Sequence, residues 1–238
     1  MSSKGKYIGI SNRIPLVVLE YAVSDYISTG QINSEAYLSY IKEFTNGENR
    51  ANKSLNQLVL ILKKNIQLLD LVSSRTNRNF TSLSQNDQMG LLVCMFALTF
   101  PIAFDILIAF SSVFKIQDVI SKRVILEKMG SMYGSNRAMI IGVDETVPLF
   151  IDIKLINRQK MGLYLKGKKL TISNNLIAEL IIYTAITLSG SKSLLVEDIV
   201  HKPWFSFFDM PNESNILYSQ LIIKQDSSVG KGYITAKT

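Results

Sequence analysis

The sequence has almost none of the residues on which disulfide, zinc and histidine chemistry depend. Among 238 residues there is one cysteine, Cys94, and one histidine, His201. A lone thiol closes no internal disulfide, and one Cys with one His cannot complete the usual spacings of a structural zinc site. No metal and no cofactor is therefore expected, and a histidine-dependent triad would have His201 as its only base. Charge is also scarce: 19% of residues are charged and 47% are hydrophobic, which excludes a disordered chain and allows one large or two small domains with real cores. The charge present is unbalanced, 26 Lys+Arg against 19 Asp+Glu, for a net +7. A Walker-type phosphate loop is missing as well. Gly162 and Gly167-Lys168 have the right spacing, but Lys169 stands where that loop needs Ser or Thr. The stretch Met1–Gly9 is short and polar, and the apolar residues after Arg13 run only to Leu19, so no secretory signal is read and the expected location is cytoplasmic.

What is there is mostly helical periodicity. Leu16, Leu19, Val23 and Ile27 recur at helical spacing and Gly30 closes the run. A second helix starts at Asn33 or Ser34, carries Tyr37, Leu38, Ile41 and Phe44, and stops at Asn46-Gly47. A third is predicted from Arg50 to Val72 on the stripe Leu55, Leu58, Leu62, Ile66 and Leu69. Ser73–Asn86, rich in Ser, Thr and Asn, reads as a linker. Three regions follow: a helical N-terminal domain over 1–83, a second domain over 84–190, and a C-terminal segment over 191–238 with a short helix near Leu194–Val200, a strand near Leu217–Ile223 and a polar tail from Lys224 that frays unless tied down.

The second region opens on Gly90–Phe110, where 17 of 21 residues are apolar. Its length could just span a membrane, but Asp105 and Pro101 interrupt it, and an aspartate at mid-span is costly. The favoured reading is a core helix kinked at Pro101, with a membrane-associated protein as the alternative. A helix over Gln117–Ser131 and a second helical stretch over Ser135–Ile156 follow. Pro148 in that stretch fits best in the first turn of a short helix capped by Asp144 or Thr146. From Leu155 the period changes. Leu155–Leu165 and Leu170–Ile172 read as two short strands joined by the basic turn Lys166-Gly167-Lys168-Lys169. A capped helix from Ser173 or Asn174 to Leu188, ended by Gly190, completes the region.

Helix, glycine-containing turn, helix and two-stranded ribbon is the order of a winged helix-turn-helix. The run Leu155-Ile156-Asn157-Arg158 followed by Gly162-Leu163-Tyr164-Leu165 resembles the passage from recognition helix into wing in that family, over roughly residues 86–188. The expected fold class is accordingly mainly α, with a helical N-terminal domain and a winged-helix-like domain carrying a small β-ribbon. Pro148 and the length of Ser135–Ile156 depart from the usual pattern, so the recognition helix is read either as Thr146–Lys154 or as an interrupted helix from Ser135.

Charge points to the same place. Between positions 154 and 169 lie six cations, Lys154, Arg158, Lys160, Lys166, Lys168 and Lys169, and no acid. Such a wing would contact phosphates and release counterions, with double-stranded DNA as the expected partner. Asn136 and Arg137 on the preceding helix could reach base edges in a major groove. The competing reading is a solvated basic hairpin. A weaker cluster at Arg50, Lys53, Lys63, Lys64, Arg75 and Arg78 includes Lys53, Lys64 and Arg75 at intervals of 11, which share a face if the helix is continuous. It would extend the footprint, or simply be a solvated face.

An enzymatic alternative rests on Asp152-Ile153-Lys154, the Asp-x-Lys of PD-(D/E)xK nucleases, with Asp144 as the second carboxylate for a divalent metal. Helix-surface ion pairs are the competing reading. The aromatic run Pro203–Phe208 is either a core plug or a docking surface for a protein partner, and Cys94 reads as an inert buried thiol. The order of Leu16–Ile27, Glu35–Phe44, the basic Arg50–Val72 and the wing-like Leu155–Ile172 is similar in architecture to the BREX phage-defence accessory protein A family. That resemblance implies a DNA-binding accessory factor of an anti-phage system without catalytic activity of its own. A transcriptional regulator of the same fold reads identically.

Overall fold

The structure, a computed structural model, describes residues 6–228 and 230–237. Residues 1–5 of the N-terminal stretch, and Val229 and Thr238 of the tail, lie outside them. Nine α-helices are present among the described residues: α1 (Leu16–Thr29), α2 (Ser34–Phe44), α3 (Glu48–Lys64), α4 (Ile66–Arg75), α5 (Gln85–Thr99), α6 (Pro101–Phe114), α7 (Lys122–Tyr133), α8 (Arg137–Asp152) and α9 (Asn175–Ser189). The strands are β1 (Val119–Ser121), β2 (Ile156–Lys160), β3 (Leu163–Lys166), β4 (Leu170–Thr171), β5 (Ser193–Leu195), β6 (Phe208–Asp209), β7 (Ile222–Gln225) and β8 (Tyr233–Ala236). Two sheets are antiparallel, in the orders β1-β3-β2 and β5-β8-β7, while β4 and β6 form a short parallel pair. The expected mainly helical class holds.

The N-terminal helices follow their local signals. Gly30 takes the left-handed conformation at the end of α1 and donates its N–H to Tyr26 O at 2.7 Å. Asn33 caps α2 by accepting from the Ala36 amide at 3.1 Å. The helix predicted over Arg50–Val72, however, breaks at Asn65, which is buried and donates its side-chain amide to Ile61 O at 2.8 Å and Thr99 Oγ1 at 3.0 Å. Lys53 and Lys64 therefore share a face of α3, but Arg75 belongs to α4 and leaves that line.

The apolar centre is two helices, not one kinked helix. α5 and α6 meet at Phe100 and diverge by 116°, with Pro101 in the first turn of α6, where its missing N–H costs nothing. No single helix among the described residues is long and apolar enough to cross a membrane. Leu91, Phe96, Phe100, Ile106 and Phe110 are all buried in the core. Asp105 is paired with Lys6 at 3.0 Å and accepts the Tyr133 hydroxyl at 2.7 Å. Cys94 is buried with its pKa pushed up to about 12 by burial, which keeps it a thiol and unreactive.

Buried carboxylates tie the helical centre to later elements. Asp87, in the first turn of α5, accepts from the amides of Ser173 (3.0 Å) and Asn174 (3.1 Å), so the starts of α5 and α9 are bonded together. Asn174 in turn caps α9. Trp204, Phe205, Phe207 and Phe208 are buried, and the Trp204 indole N–H donates to Ile181 O at 3.1 Å. The aromatic run is thus a core plug, and a partner surface made of these rings is ruled out by their burial. Among the described residues the tail is tied into a sheet, with β8 pairing with both β5 and β7. Buried residues from all three stretches of the chain, among them Val23, Phe96 and Trp204, belong to one hydrophobic cluster.

Candidate nucleic-acid interface

The segment from α6 to β3 runs helix, strand, helix, helix, strand, strand. The strand β1 lies where a helix from Gln117 is expected, because Val119–Ser121 pairs with Leu163–Leu165 and closes the sheet from the far side. Ser121 then caps α7 by accepting from the Val124 amide at 3.4 Å. The inner face of the sheet is set by Ile120 and Tyr164, both buried, and the Phe110 ring of α6 packs edge-on against Tyr164 at 5.5 Å. Burial raises the Tyr164 phenol pKa, while nearby Arg158 and Lys122 pull the other way.

The hairpin differs from the expected one. Its turn is Met161-Gly162, between β2 and β3, with Met161 96% exposed at the tip. Lys166–Lys169 is not the hairpin turn but the end of β3 and the connection from it to β4. Past the pair Ile156–Lys166, Gly167 donates its N–H to Leu155 O at 2.9 Å, and Lys168 donates to Lys154 O at 3.0 Å. Lys154 itself has φ 68°, reversing the chain between α8 and β2. Lys154, Lys166, Lys168 and Lys169 are in this way gathered at the base of the hairpin, with Arg158 and Lys160 further out along β2. All six are exposed, and none takes part in an ion pair among the described residues.

Gly167 makes this gathering possible. A Cβ there would lie 2.0 Å from Lys154 O and 2.5 Å from the Leu155 carbonyl carbon, both backbone atoms that cannot swing aside. Gly167→Ala should cost about 1–3 kcal/mol, as forced overpacking does, and should pull Lys168 away from Lys154. A urea melt checks the first effect; an unchanged midpoint would mean the two strands are not in contact.

The helix α8 is continuous from Arg137 to Asp152, with Pro148 inside it rather than in its first turn. Its cap is Asn136, not Asp144 or Thr146. The Asn136 side-chain oxygen accepts from the Met139 amide at 3.0 Å, so this residue is occupied in capping and is not poised for a base edge. Arg137 remains exposed at the start of the helix. Otherwise the solvent side of α8 is short of cations: Ile140 is 41% exposed, Ile141, Pro148 and Ile151 are half-buried, and the acids are Asp144, Glu145 and Asp152. Asp144 pairs with Lys122 at 2.5 Å and Asp152 with Arg13 at 2.7 Å. Burial raises the Glu145 pKa, opposed by a hydrogen bond from the Arg13 backbone.

The residues at stake for a nuclease are placed differently from that chemistry's needs. Asp152 and Lys154 flank the C-terminal end of α8 instead of standing on a strand, and both candidate carboxylates hold a cation. No group of three or more His, Cys, Asp or Glu among the described residues is arranged to hold a metal. Of the second basic cluster, Lys53 is exposed, while the Lys64 ammonium lies 5.3 Å from the Tyr7 ring centre and reaches Thr99 O at 3.4 Å. Sequence reasoning missed Lys122, whose pairing with Asp144 offsets charge on α8. Comparison of the chain with protein-family models, with curated proteins and with solved structures finds no match.

Proposed function

We propose that this protein is a non-catalytic DNA-binding protein of winged-helix type, in which the base of the hairpin, more than α8, supplies the contacts. The observation that carries the reading is the set of four lysines, Lys154, Lys166, Lys168 and Lys169, brought to one end of the hairpin by the Lys154–Lys168 and Leu155–Gly167 backbone bonds, none of them in an ion pair among the described residues. Like charges held side by side are unfavourable in isolation, and a polyanion relieves that cost while releasing its own counterions. The order α6-β1-α7-α8-β2-β3 with the sheet β1-β3-β2 supports the winged-helix assignment. The apolar and acidic surface of α8 argues for phosphate-dominated binding with little base readout. A place as an accessory factor of an anti-phage system, or as a transcriptional regulator, is compatible with this chemistry.

The test is fluorescence anisotropy with duplex DNA and duplex RNA. Lys168→Glu should weaken DNA binding about five- to tenfold, equally across sequences, and lower the salt slope by about 1. Arg137→Ala should change affinity less than about threefold. The reverse ranking would move the interface from hairpin to helix, and equal affinity for duplex RNA would widen the partner class.

A further inference from the structure

Three stretches remote in sequence, the segment before α1, the end of α2 with the start of α3, and α8, wall an open cleft of about 450 Å³. Its walls are bonded to one another. The Ser54 hydroxyl donates to Arg13 O at 3.2 Å, the Asn12 side chain donates to Arg50 O at 3.1 Å, and the Arg13 N–H donates to the Glu145 carboxylate. The Arg13 guanidinium is committed to Asp152 at 2.7 Å. Two opposite charges are then left over. Arg50 on α3 and Glu145 on α8 both line the cleft, and neither takes part in an ion pair among the described residues. Both can be reached from solvent, since Arg50 is exposed and Glu145 half-buried. They lie beyond ion-pair distance of each other, yet Arg50 still lowers the Glu145 pKa against the larger, opposing effect of burial. The third accessible feature is the Phe44 ring, which is 49% exposed and held edge-on by Tyr40 at 5.2 Å.

This charge pattern narrows the ligand. A phosphate would meet Arg50 but be repelled by Glu145, and a polyamine would meet Glu145 but be repelled by Arg50. A molecule with a carboxylate at one place and an ammonium at another satisfies both, each through a charge-assisted hydrogen bond. Phe44 offers such a molecule an apolar wall. The volume is at the scale of small-molecule sites.

We propose that this cleft binds a small zwitterion with an apolar side chain, a free α-amino acid or a short peptide, with its carboxylate on Arg50, its ammonium on Glu145 and its side chain against Phe44. The site is independent of the DNA-binding reading.

The experiment is isothermal titration calorimetry of the full-length protein with phenylalanine, glycine, the dipeptide leucyl-phenylalanine, N-acetylphenylalanine and phenylalanine amide. Phenylalanine or the dipeptide should give saturable heat at millimolar concentration, and the tighter of the two assigns the source. Glycine should bind about three- to tenfold more weakly than phenylalanine, for want of a side chain on Phe44. Removing either ligand charge, by acetylation or by amidation, should weaken binding about tenfold or more, the difference a hydrogen bond between charged groups supplies. Glu145→Gln keeps an acceptor for the Arg13 N–H and should bind phenylalanine no better than N-acetylphenylalanine. Arg50→Gln should bind phenylalanine no better than its amide. The derivatives tested on the unaltered protein decide the matter even where a variant fails to fold. No saturable heat with any zwitterion would leave a merely solvated cleft and overturn the proposal. So would acetylated or amidated phenylalanine binding as tightly as phenylalanine, or discrimination against both derivatives unchanged in both folded variants.

Discussion

Glu179→Ala is expected to lower the unfolding free energy by about 3–5 kcal/mol, the usual cost of removing one partner from a buried, charge-assisted network. Glu179 lies in α9 and is 1% exposed. Its carboxylate accepts from three successive backbone amides, Ser219 at 2.9 Å, Gln220 at 2.8 Å and Leu221 at 2.8 Å. Those bonds hold the strand leading into β7, which the tail strand β8 then joins. Alanine would leave the three donors without an acceptor and open space in the core, so both the unsatisfied groups and the cavity count against the variant. Glu179→Gln keeps one acceptor oxygen and should lose less. Chemical denaturation followed by Trp204 fluorescence checks both. An alanine variant within about 1 kcal/mol of the parent would mean that water or another group readily replaces the carboxylate.

The largest expected functional loss is from the combined change Lys166→Glu, Lys168→Glu and Lys169→Glu. Each lysine placed on a phosphate contributes about 0.9 to the salt slope, so losing three lowers it by about 3. Replacing them with acids adds repulsion, and affinity for duplex DNA near 0.1 M salt should fall on the order of 100-fold. All three residues are exposed and outside any ion pair among the described residues, so stability should change little. Unchanged affinity in this variant would mean that the hairpin base does not touch DNA.

The parts legible in the sequence are those whose signals are local. α1, α2 and α9 pair an apolar stripe with a cap, at Gly30, Asn33 and Asn174, and all three form where expected. α5 and α6 lack that contrast: they are apolar on every side because both are buried, so periodicity could not reveal the break at Phe100. β1 is three residues long and exists only through its pairing with β3, a contact more than forty positions away in sequence that no local pattern announces. Lys-Gly-Lys-Lys carries turn chemistry, yet Gly167 is there for a close approach of strands, and only the 2.0 Å clearance to Lys154 O shows it.

The candidate site is legible in its charges but not in its geometry. The six cations of 154–169 do lie together in one region, though split between the base and the outer part of the hairpin. Asn136 has the chemistry to read a base, but an Asn one position ahead of a helix start is also a capping signal, and capping is what it does. The acids on α8 have the chemistry of metal ligands; Arg13 and Lys122, remote in sequence, pair with two of them instead.

If an unpaired lysine cluster at the base of a hairpin binds DNA through its phosphates, that binding must weaken steeply with salt. The most direct test is the salt dependence of duplex binding by the unaltered protein, measured by anisotropy from about 0.05 M to 0.3 M salt. Four to six phosphate contacts predict a slope of log affinity against log salt between about −3.6 and −5.4. A slope near zero, or no binding at the lowest salt, would contradict it.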